Sequence, residues 1–173
     1  MRLSHVVPAF IIRKASVDDA ASIASCMRSA FEAYRESYTL DAFADTVLTP
    51  ETVGERLEAM SIWVATTESG EVVGTLAYRL VDAATGHLRG MAVRPEWHGK
   101  AVADALLSTI QAELHRQGCT RITLNTTPPL ERATGFYRRH GFVRTGRTRD
   151  YFGMPLTEWA KESPAGASLG AAG

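Results

Sequence analysis

Residues 87–103 have the sequence HLRGMAVRPEWHGKAVA, the most informative stretch of the chain. The apolar residues up to Val93 predict a strand, and Gly90 within it predicts a bulge or a close backbone approach. Pro95 ends the strand, and a helix begins near Gly99. A strand that turns into a helix presents unpaired backbone N–H groups, which attract anions. The sequence therefore predicts an anion site at this turn, with a pyrophosphate as the candidate ligand.

The elements after the turn alternate between helix and strand. Val102, Leu106, Ile110 and Leu114 recur four residues apart, which predicts one apolar helix face, and Gly118 ends that helix. The later patterns predict a strand over Arg121–Asn125, a helix over Pro128–His140, and closing strands over Phe142–Thr148 and Tyr151–Trp159.

The elements before the turn follow the same logic. Ser16 and Asp19 form the Ser-x-x-Asp signature of a helix start, and Gly70 in Glu-Ser-Gly-Glu suits a hairpin turn. The predicted elements are a strand over Ala9–Arg13, a helix over Asp18–Tyr34, a helix from Pro50 through Leu57, and strands over Ile62–Thr66 and Val72–Val81. Between Tyr34 and Met60 the periodicity is weak.

Composition favours one soluble globular domain. The chain has 173 residues, is 45% hydrophobic and contains no run of about 18 apolar residues. We expect a single domain over residues 1–162 and a flexible tail over residues 163–173, where small residues show no periodicity. Nineteen basic and nineteen acidic residues cancel, so no general attraction to nucleic acid or an anionic membrane is expected.

Cysteine usage and the N-terminal sequence favour the cytoplasm. Two cysteines, Cys26 and Cys119, are too few for a disulfide framework and are expected to be core residues. Arg13 and Lys14 interrupt the short apolar patch that precedes them, which makes a poor signal peptide. The sequence therefore predicts a cytoplasmic protein.

Two segments together resemble the GNAT superfamily of acetyl-CoA-dependent N-acetyltransferases. Residues 93–103 are similar to the family's cofactor segment, and Asn125 with residues 136–142 (FYRRHGF) is similar to its later segment. The resemblance extends over residues 10–161. It implies an α/β (α+β) fold with a mixed, mostly antiparallel sheet of six or seven strands and helices on both faces.

The same resemblance implies an activity. The chain would transfer an acetyl group from acetyl-CoA to a primary amine of a small molecule or a protein, by direct attack through a tetrahedral intermediate and without a metal. Direct attack is preferred to a covalent acyl-enzyme because Cys26 and Cys119 fall outside the implied site. Relatives are often dimers, so a homodimer is expected. A charged tRNA is a less favoured acceptor, because the chain has no net charge.

The cofactor loop departs from the family pattern at two positions. His98 stands where the family usually has Arg or Gln, and Ala101 stands where it prefers glycine. We expect Ala101 to keep an ordinary helical φ, with its methyl group hindering close approach of a phosphate. These departures motivate an alternative function, a non-catalytic acyl-CoA sensor or interaction module with the same fold.

The resemblance also implies site residues. The donor would be bound by Met91, Ala92, Val93, His98, Gly99, Lys100, Ala101, Val102, Ala103 and Asn125. Tyr137 would protonate the departing thiolate, since a phenol with a reference pKa of about 10 is still protonated when a thiolate of about 8.5 leaves. His87 would accept a proton from the amine. Structural alternatives remain open: Tyr137 as a core residue, His87 as a surface residue and Asn125 as a turn cap.

Two larger sets of residues have weaker interpretations. The first set is a basic run, Arg138, Arg139, Arg144, Arg147 and Arg149. It is either a solvated face or a site for the adenosine 3′-phosphate of the donor. An acidic and aromatic set would suit a cationic amine; it comprises Tyr34, Glu36, Tyr38, Asp150 and Tyr151.

Overall fold

The computed structural model describes residues 9–163, which contain seven strands and five α-helices. The strands are β1 (Ile11–Lys14), β2 (Ser61–Thr66), β3 (Val72–Leu80), β4 (Thr85–Val93), β5 (Arg121–Thr126), β6 (Val143–Tyr151) and β7 (Met154–Glu162). The helices are α1 (Ala20–Phe31), α2 (Leu40–Thr46), α3 (Pro50–Ala59), α4 (Val102–Arg116) and α5 (Glu131–Arg139). Short 3-10 helices cover Val17–Asp19, Glu32–Ser37 and Pro95–Trp97.

The strands form one mixed sheet in the order β1-β2-β3-β4-β5-β7-β6. Neighbouring strands are antiparallel except β4 and β5, which run parallel. The α4 helix supplies the crossover that a parallel pair requires. The predicted mixed, mostly antiparallel sheet with helices on both faces is confirmed.

Helices cover the two faces of the sheet and bury two apolar cores. On one face, α1 and α3 pack against β2, β3 and β4, with the buried residues Ile23, Met27, Val53, Val64 and Ala92. On the other face, α4 and α5 pack against the sheet, with the buried residues Leu106, Ile110, Leu114, Phe142 and Trp159. Each fully buried large apolar side chain stabilises the fold by about 1.5–3 kcal/mol.

Two glycines let α4 lie close to the sheet. A Cβ at Gly74 would stand 2.5 Å from Val102 Cγ1, and a Cβ at Gly86 would stand 2.6 Å from Leu114 Cδ2. These glycines contact opposite ends of α4, so a side chain at either would push that end of the helix outward. The position of the α4 N-terminus therefore depends directly on β3.

The predicted helix-start signal near the N-terminus is present and forms an ion pair. Asp19 accepts hydrogen bonds from Arg13 Nη2 at 2.7 Å, Arg13 Nη1 at 2.8 Å and the Ser16 N–H at 2.8 Å. The side-chain hydrogen bond from Arg13 lowers the pKa of Asp19. This cluster fixes β1 against the start of the first helix.

Four local features differ from the sequence-based expectation. The helix predicted over Asp18–Tyr34 is α1 flanked by two 3-10 segments. The α2 helix lies in the segment with weak periodicity, and Thr39 is its N-cap residue, whose hydroxyl accepts a hydrogen bond from the Ala42 N–H. The α5 helix starts at Glu131 instead of Pro128, since a residue before proline disfavours helical backbone.

The fourth difference is the closing hairpin, whose strands extend three residues further along the chain than predicted. Phe152 and Gly153 form its turn with φ of 50° and 88°. Two successive positive φ angles are the mark of a two-residue hairpin turn, and Phe152 gives no sequence signal for one.

The predicted tail over residues 163–173 lies outside the described residues except for Ser163, whose N–H donates to the Thr120 carbonyl at 2.7 Å. Within residues 9–163, no helix combines the length and apolarity that a bilayer crossing needs.

Candidate active site

The β4 and β5 strands separate partway along their length and open a fork in the sheet. They pair only over Thr85–His87 and Arg121–Thr123. Beyond that point β4 is irregular, because Gly90 and Met91 both oppose Leu76 of β3. Gly90 has φ of 75°, a left-handed value that favours glycine. The predicted bulge at Gly90 is therefore confirmed, and it turns β4 away from β5.

A cleft of about 390 Å³ lies between β4 and the N-terminus of α4. We call it the α4 cleft. Most of the predicted donor-binding residues line it: Met91, Ala92, Val93, His98, Gly99, Ala101, Val102 and Ala103. Two predicted residues do not. Lys100 lies over the Trp97 ring at 4.9 Å, and Asn125 lines a second cavity instead.

The loop that leads into α4 contains two residues with left-handed backbone. Gly99 has φ of 74°, and Ala101 has φ of 61°. The expectation of an ordinary helical φ at Ala101 is wrong: Ala101 is the N-cap residue of α4, and its backbone is left-handed. A left-handed alanine costs about 1–2 kcal/mol, since its Cβ approaches the following carbonyl. His98 is turned back towards β4, with Nε2 3.2 Å from the Val93 carbonyl oxygen.

The chemistry of the α4 cleft fits a pyrophosphate. A 3.0 Å hydrogen bond from the Ala105 N–H to the Ala101 carbonyl closes the first turn of α4, so the N–H groups of residues 102–104 precede the intrahelical ladder. The helix dipole adds a partial positive charge at the same end. Gly99 has no side chain to hinder phosphate oxygens, and Ala101 adds only a methyl group. Arg132 and Arg139 also line the cleft and supply positive charge.

A second and larger cavity of about 650 Å³ lies at the fork between β4 and β5. We call it the fork cavity. His87, Gly90 and Asn125 line it from the two strands, and Tyr38 and Tyr151 line it from the loop after α1 and from the closing hairpin. Of the set predicted to contact an amine, Tyr38, Asp150 and Tyr151 therefore lie at this cavity. Tyr34 lies at the α4 cleft instead.

The two cavities share part of their walls. Phe31, Met91, Leu130, Ala133 and Tyr137 line both of them. These residues come from α1, the β4 bulge, the start of α5 and α5 itself. A molecule in the α4 cleft and a molecule in the fork cavity would therefore meet at Tyr137 and Met91.

Tyr137 has a phenol oxygen with no protein partner in the described residues. Its ring is buried between Phe136 and Phe142, at centroid distances of 5.4 and 5.6 Å. Trp63 Nε1 is the one completely buried side-chain nitrogen or oxygen in residues 9–163 that lacks a hydrogen bond. The Tyr137 oxygen therefore retains access to the cavities. Burial raises the pKa of Tyr137, so the phenol stays protonated at neutral pH.

His87 lies at the closed end of the fork. Its Nδ1 is 2.7 Å from Thr123 Oγ1, which leaves Nε2 available to a ligand. Burial lowers the pKa of His87 to about 4, and the positive charges of Arg79, Arg89 and Arg149 contribute to that shift. The imidazole is therefore neutral at pH 7, and one of its nitrogens carries a lone pair that accepts hydrogen bonds.

A charged network that the sequence does not indicate lines the fork cavity. Asp45 Oδ2 accepts a hydrogen bond from Arg89 Nη2 at 2.5 Å and another from the Tyr151 hydroxyl at 2.5 Å. Arg56 of α3 also lines the cavity. No sequence signal links these residues, because they lie on four separate elements and carry no common motif.

The predicted basic run does not act as one site. Arg138 and Arg144 lie over the Trp159 ring at 5.4 and 5.2 Å. Arg139 lines the α4 cleft, and Arg149 lines the fork cavity. Of the run, Arg139 is thus the residue that lies where a donor phosphate would bind.

No cysteine lines either cavity. Cys26 and Cys119 are both buried free thiols, and burial raises the pKa of Cys26 to about 12. A thiol with so high a pKa is a poor nucleophile at neutral pH. Among residues 9–163, no group of three or more His, Cys, Asp or Glu side chains is arranged to hold a metal ion.

Comparison with known proteins identifies relatives of this architecture. Residues 22–142 match the acetyltransferase (GNAT) family. Among solved structures, the PaiA N-acetyltransferase of Thermoplasma acidophilum in complex with coenzyme A is 17% identical, with a TM-score of 0.73, and the match covers 88% of this chain and 98% of that one.

Two further structures have the same fold. A GNAT-family acetyltransferase from Staphylococcus aureus Mu50 is 17% identical, with a TM-score of 0.74 over 90% of this chain and 100% of that one. A ribosomal-protein-alanine N-acetyltransferase from Brucella melitensis is 20% identical, with a TM-score of 0.68 over 88% of this chain and 99% of that one.

Proposed function

Because this chain belongs to the GNAT family of acetyltransferases, we propose that it transfers an acetyl group from acetyl-CoA to a primary amine by direct attack through a tetrahedral intermediate. The observation that carries this proposal is the position of Tyr137 in the wall shared by the α4 cleft and the fork cavity. The first cavity suits the donor and the second suits the amine. The acetyl group would pass from the donor to the amine at their common wall.

The donor would be held by backbone groups. The N–H groups at the start of α4 and the turn at Gly99 would bind the pyrophosphate. The bulge at Gly90 frees backbone polar groups of Met91 from regular pairing with β3, whereas Val93 stays in register with Gly74. These groups would bind the acyl arm and stabilise negative charge on the carbonyl oxygen as the amine attacks.

Tyr137 would supply the proton that the thiolate takes up as it leaves. Burial raises the pKa of Tyr137, so the phenol stays protonated until the thiolate forms beside it. A thiolate with a conjugate pKa near 8.5 is a base, so proton transfer from Tyr137 would follow the developing charge. Its hydroxyl has no competing protein partner in the described residues.

His87 would act on the amine side. It is neutral at pH 7 and its Nε2 is free, so it would accept a hydrogen bond from the attacking amine or from a bound water. A pKa of about 4 makes it a weak base. We therefore propose that His87 orients the amine and shares its proton transiently. Water would be the final acceptor of that proton. Asn125, on the opposite strand of the fork, would bind the same amine or water.

A covalent acyl-enzyme is not part of the proposal. Neither Cys26 nor Cys119 lines the shared wall, and both are buried. Mass spectrometry of the protein during turnover should show no acetylated cysteine on the reaction path, and such an intermediate would overturn direct transfer.

The test is a thiol-release assay on the purified chain with acetyl-CoA and a panel of small amines and peptides, preceded by calorimetry with acetyl-CoA alone. Binding followed by amine-dependent thiol release supports acetyl transfer. Binding without release for any amine supports the alternative of an acyl-CoA sensor, and absence of binding contradicts both.

Three predictions from the sequence extend this proposal. We propose a single catalytic domain over residues 1–162, a cytoplasmic location and a homodimer. Light scattering of the purified chain would test the dimer, and fractionation of cells that express it would test the location.

A further inference from the structure

The fork cavity carries more positive than negative charge. Four arginines line it, Arg56, Arg79, Arg89 and Arg149, against two carboxylates, Asp45 and Asp150. His87 adds no charge at neutral pH, since burial lowers its pKa to about 4. The lining groups therefore have a net charge of plus two, the four arginines less the two aspartates. An ordinary cationic amine would be repelled by this cavity.

The two carboxylates are already engaged elsewhere. Asp45 Oδ2 binds Arg89 and the Tyr151 hydroxyl, each at 2.5 Å. Asp150 accepts a hydrogen bond of 3.3 Å from the Gly153 N–H in the closing hairpin. Arg89 thus has its counter-ion within the protein, and the bonded oxygen of Asp45 is shared between Arg89 and Tyr151.

Arg56 has no such partner. In residues 9–163 its side chain forms no hydrogen bond and no ion pair, although the residue is half-buried. Burial and the nearby Arg89 lower the pKa of Arg56 to about 10, so the guanidinium is still charged at pH 7. The charge of Asp45 offsets part of this shift, although Asp45 does not bond to Arg56. A partly desolvated charge without a hydrogen-bonded counter-ion is costly. An anionic ligand at this position would remove that cost.

Arg56 also lies close to the reacting centre. A Cβ placed on Gly90 would stand 3.0 Å from Arg56 Nη1, so the guanidinium rests against the backbone of the β4 bulge. The proposed acetyl transfer takes place beside this bulge. If Arg56 binds an anionic group of the acceptor, that group would therefore be only a few covalent bonds from the attacking nitrogen of the same molecule.

We propose that the acceptor is a small zwitterion, a primary amine that carries a carboxylate or a phosphonate near its nitrogen, and that Arg56 binds this anionic group. The inference rests on the acetyl transfer proposed above and specifies its substrate class. The planar guanidinium matches the two oxygens of a carboxylate or phosphonate with two parallel N–H donors. Arg79 and Arg149 are exposed, and they attract the anion from solution.

The first experiment measures kcat/KM of the full chain with acetyl-CoA and matched pairs of acceptors. Phenylalanine is compared with phenethylamine, histidine with histamine, and alanine with ethylamine and 1-aminoethylphosphonate. We expect each zwitterion to exceed its decarboxylated partner by about 10-fold or more, the effect of one hydrogen-bonded charge pair. The alanine and phosphonate arms decide which anion is preferred. Spermidine is expected to be a poor acceptor.

The second experiment uses Arg56→Gln and Arg56→Lys, with Arg116→Gln as the matched control on the exposed face of α4. Arg56→Gln should raise KM for the zwitterion by about 10-fold or more, with lysine giving partial rescue. The ratio of kcat/KM for the zwitterion to kcat/KM for its decarboxylated partner should therefore fall towards one, while acetyl-CoA affinity stays within about twofold of wild type. Arg116→Gln should change none of these quantities.

The outcomes separate this inference from the proposal on which it rests. If the wild-type chain acetylates decarboxylated amines with the same kcat/KM as the zwitterions, acetyl transfer stands and the inference of an anionic group on the acceptor is wrong. That comparison needs no variant, so it holds even if Arg56→Gln fails to fold. If no amine of any class is acetylated, both proposals fail.

Discussion

His87 and Thr123 face each other across the last paired position of β4 and β5, with 2.7 Å between Nδ1 and Oγ1. This contact closes the fork in the sheet at the point where the two strands begin to separate. It also holds the imidazole in a partly buried, arginine-rich environment that lowers its pKa to about 4.

The pKa of His87 predicts an acid-sensitive fold. The unfolded chain binds a proton at His87 below its ordinary pKa of about 6.5, whereas the folded chain does so only near 4. The unfolded state thus binds more protons between those values, so this contribution to stability is complete above pH 6.5 and is lost as the pH falls towards 4.

Urea unfolding at pH 7 and pH 5 checks this. The loss of free energy of unfolding between the two pH values should be smaller in His87→Gln than in wild type. Equal losses in both proteins would show that His87 does not titrate in this window.

Tyr137→Phe should abolish most of the turnover and leave the donor bound. The substitution removes only the phenol oxygen, which has no hydrogen-bond partner in the described residues. We expect kcat to fall by about 100- to 10,000-fold, the usual contribution of a general acid. Calorimetry with acetyl-CoA should give an unchanged Kd.

Tyr78→Phe is the matched control, because the Tyr78 hydroxyl accepts a 2.9 Å hydrogen bond from Gln117 Nε2 at the end of α4 and Tyr78 lines neither cavity. It should lower stability by about 1 kcal/mol and leave kcat unchanged. Unaltered kcat in Tyr137→Phe across the pH range would remove Tyr137 as the acid.

Ala101→Gly should relieve strain and admit the donor more closely. The backbone at Ala101 is left-handed, which costs alanine about 1–2 kcal/mol, against about 0.5–1 kcal/mol for the greater chain entropy of glycine. We expect up to about 1.5 kcal/mol of added stability, with tighter acetyl-CoA binding. Thermal unfolding and calorimetry measure the two effects.

Ala112→Gly, at an exposed position inside α4, is the comparison. It should lower the free energy of unfolding by about 1 kcal/mol, since glycine weakens a helix interior. The same direction of change in both variants would contradict the strain at Ala101.

Gly74→Ala should displace the N-terminus of α4. The new Cβ would stand 2.5 Å from Val102 Cγ1 and 3.1 Å from Leu106 Cδ1, both on the buried side of the helix. Overpacking of this kind costs about 1–3 kcal/mol. Because Val102 lines the α4 cleft, acetyl-CoA affinity should fall together with stability.

Gly54→Ala provides the opposite case. No atom outside its immediate backbone lies within 4 Å of the added Cβ, and the residue is inside α3. The change should stabilise the fold by about 0.5–1 kcal/mol and leave acetyl-CoA affinity unaltered. A stable Gly74→Ala variant with normal affinity would show that β3 does not control the α4 N-terminus.

The sequence predicts the order of the elements well because each has a local signal. Gly90 interrupts a strand pattern and marks the bulge, and Gly118 ends α4 with φ of 88°. The i, i+4 stripe from Val102 to Leu114 is the buried face of α4. These features depend on neighbours within a few residues, so the residue types contain the information.

Other features have no local signal. Nothing about alanine indicates a left-handed conformation at Ala101. The network of Asp45, Arg89 and Tyr151 joins residues 44 and 106 positions apart. Arg56 lies against Gly90 through packing of α3 beside the sheet, which no periodicity encodes. Most residues that line the α4 cleft were therefore predictable by resemblance, whereas the charge of the fork cavity required the structure.

The wall shared at Tyr137 also determines the expected kinetic scheme. If the donor and the amine bind in separate cavities, as proposed, neither must leave before the other binds. Neither cysteine lines these cavities, so no thiol is placed to carry the acetyl group between two half-reactions. Initial-rate plots at several fixed concentrations of one reactant should intersect, the signature of a ternary complex, whereas a double-displacement enzyme gives parallel lines.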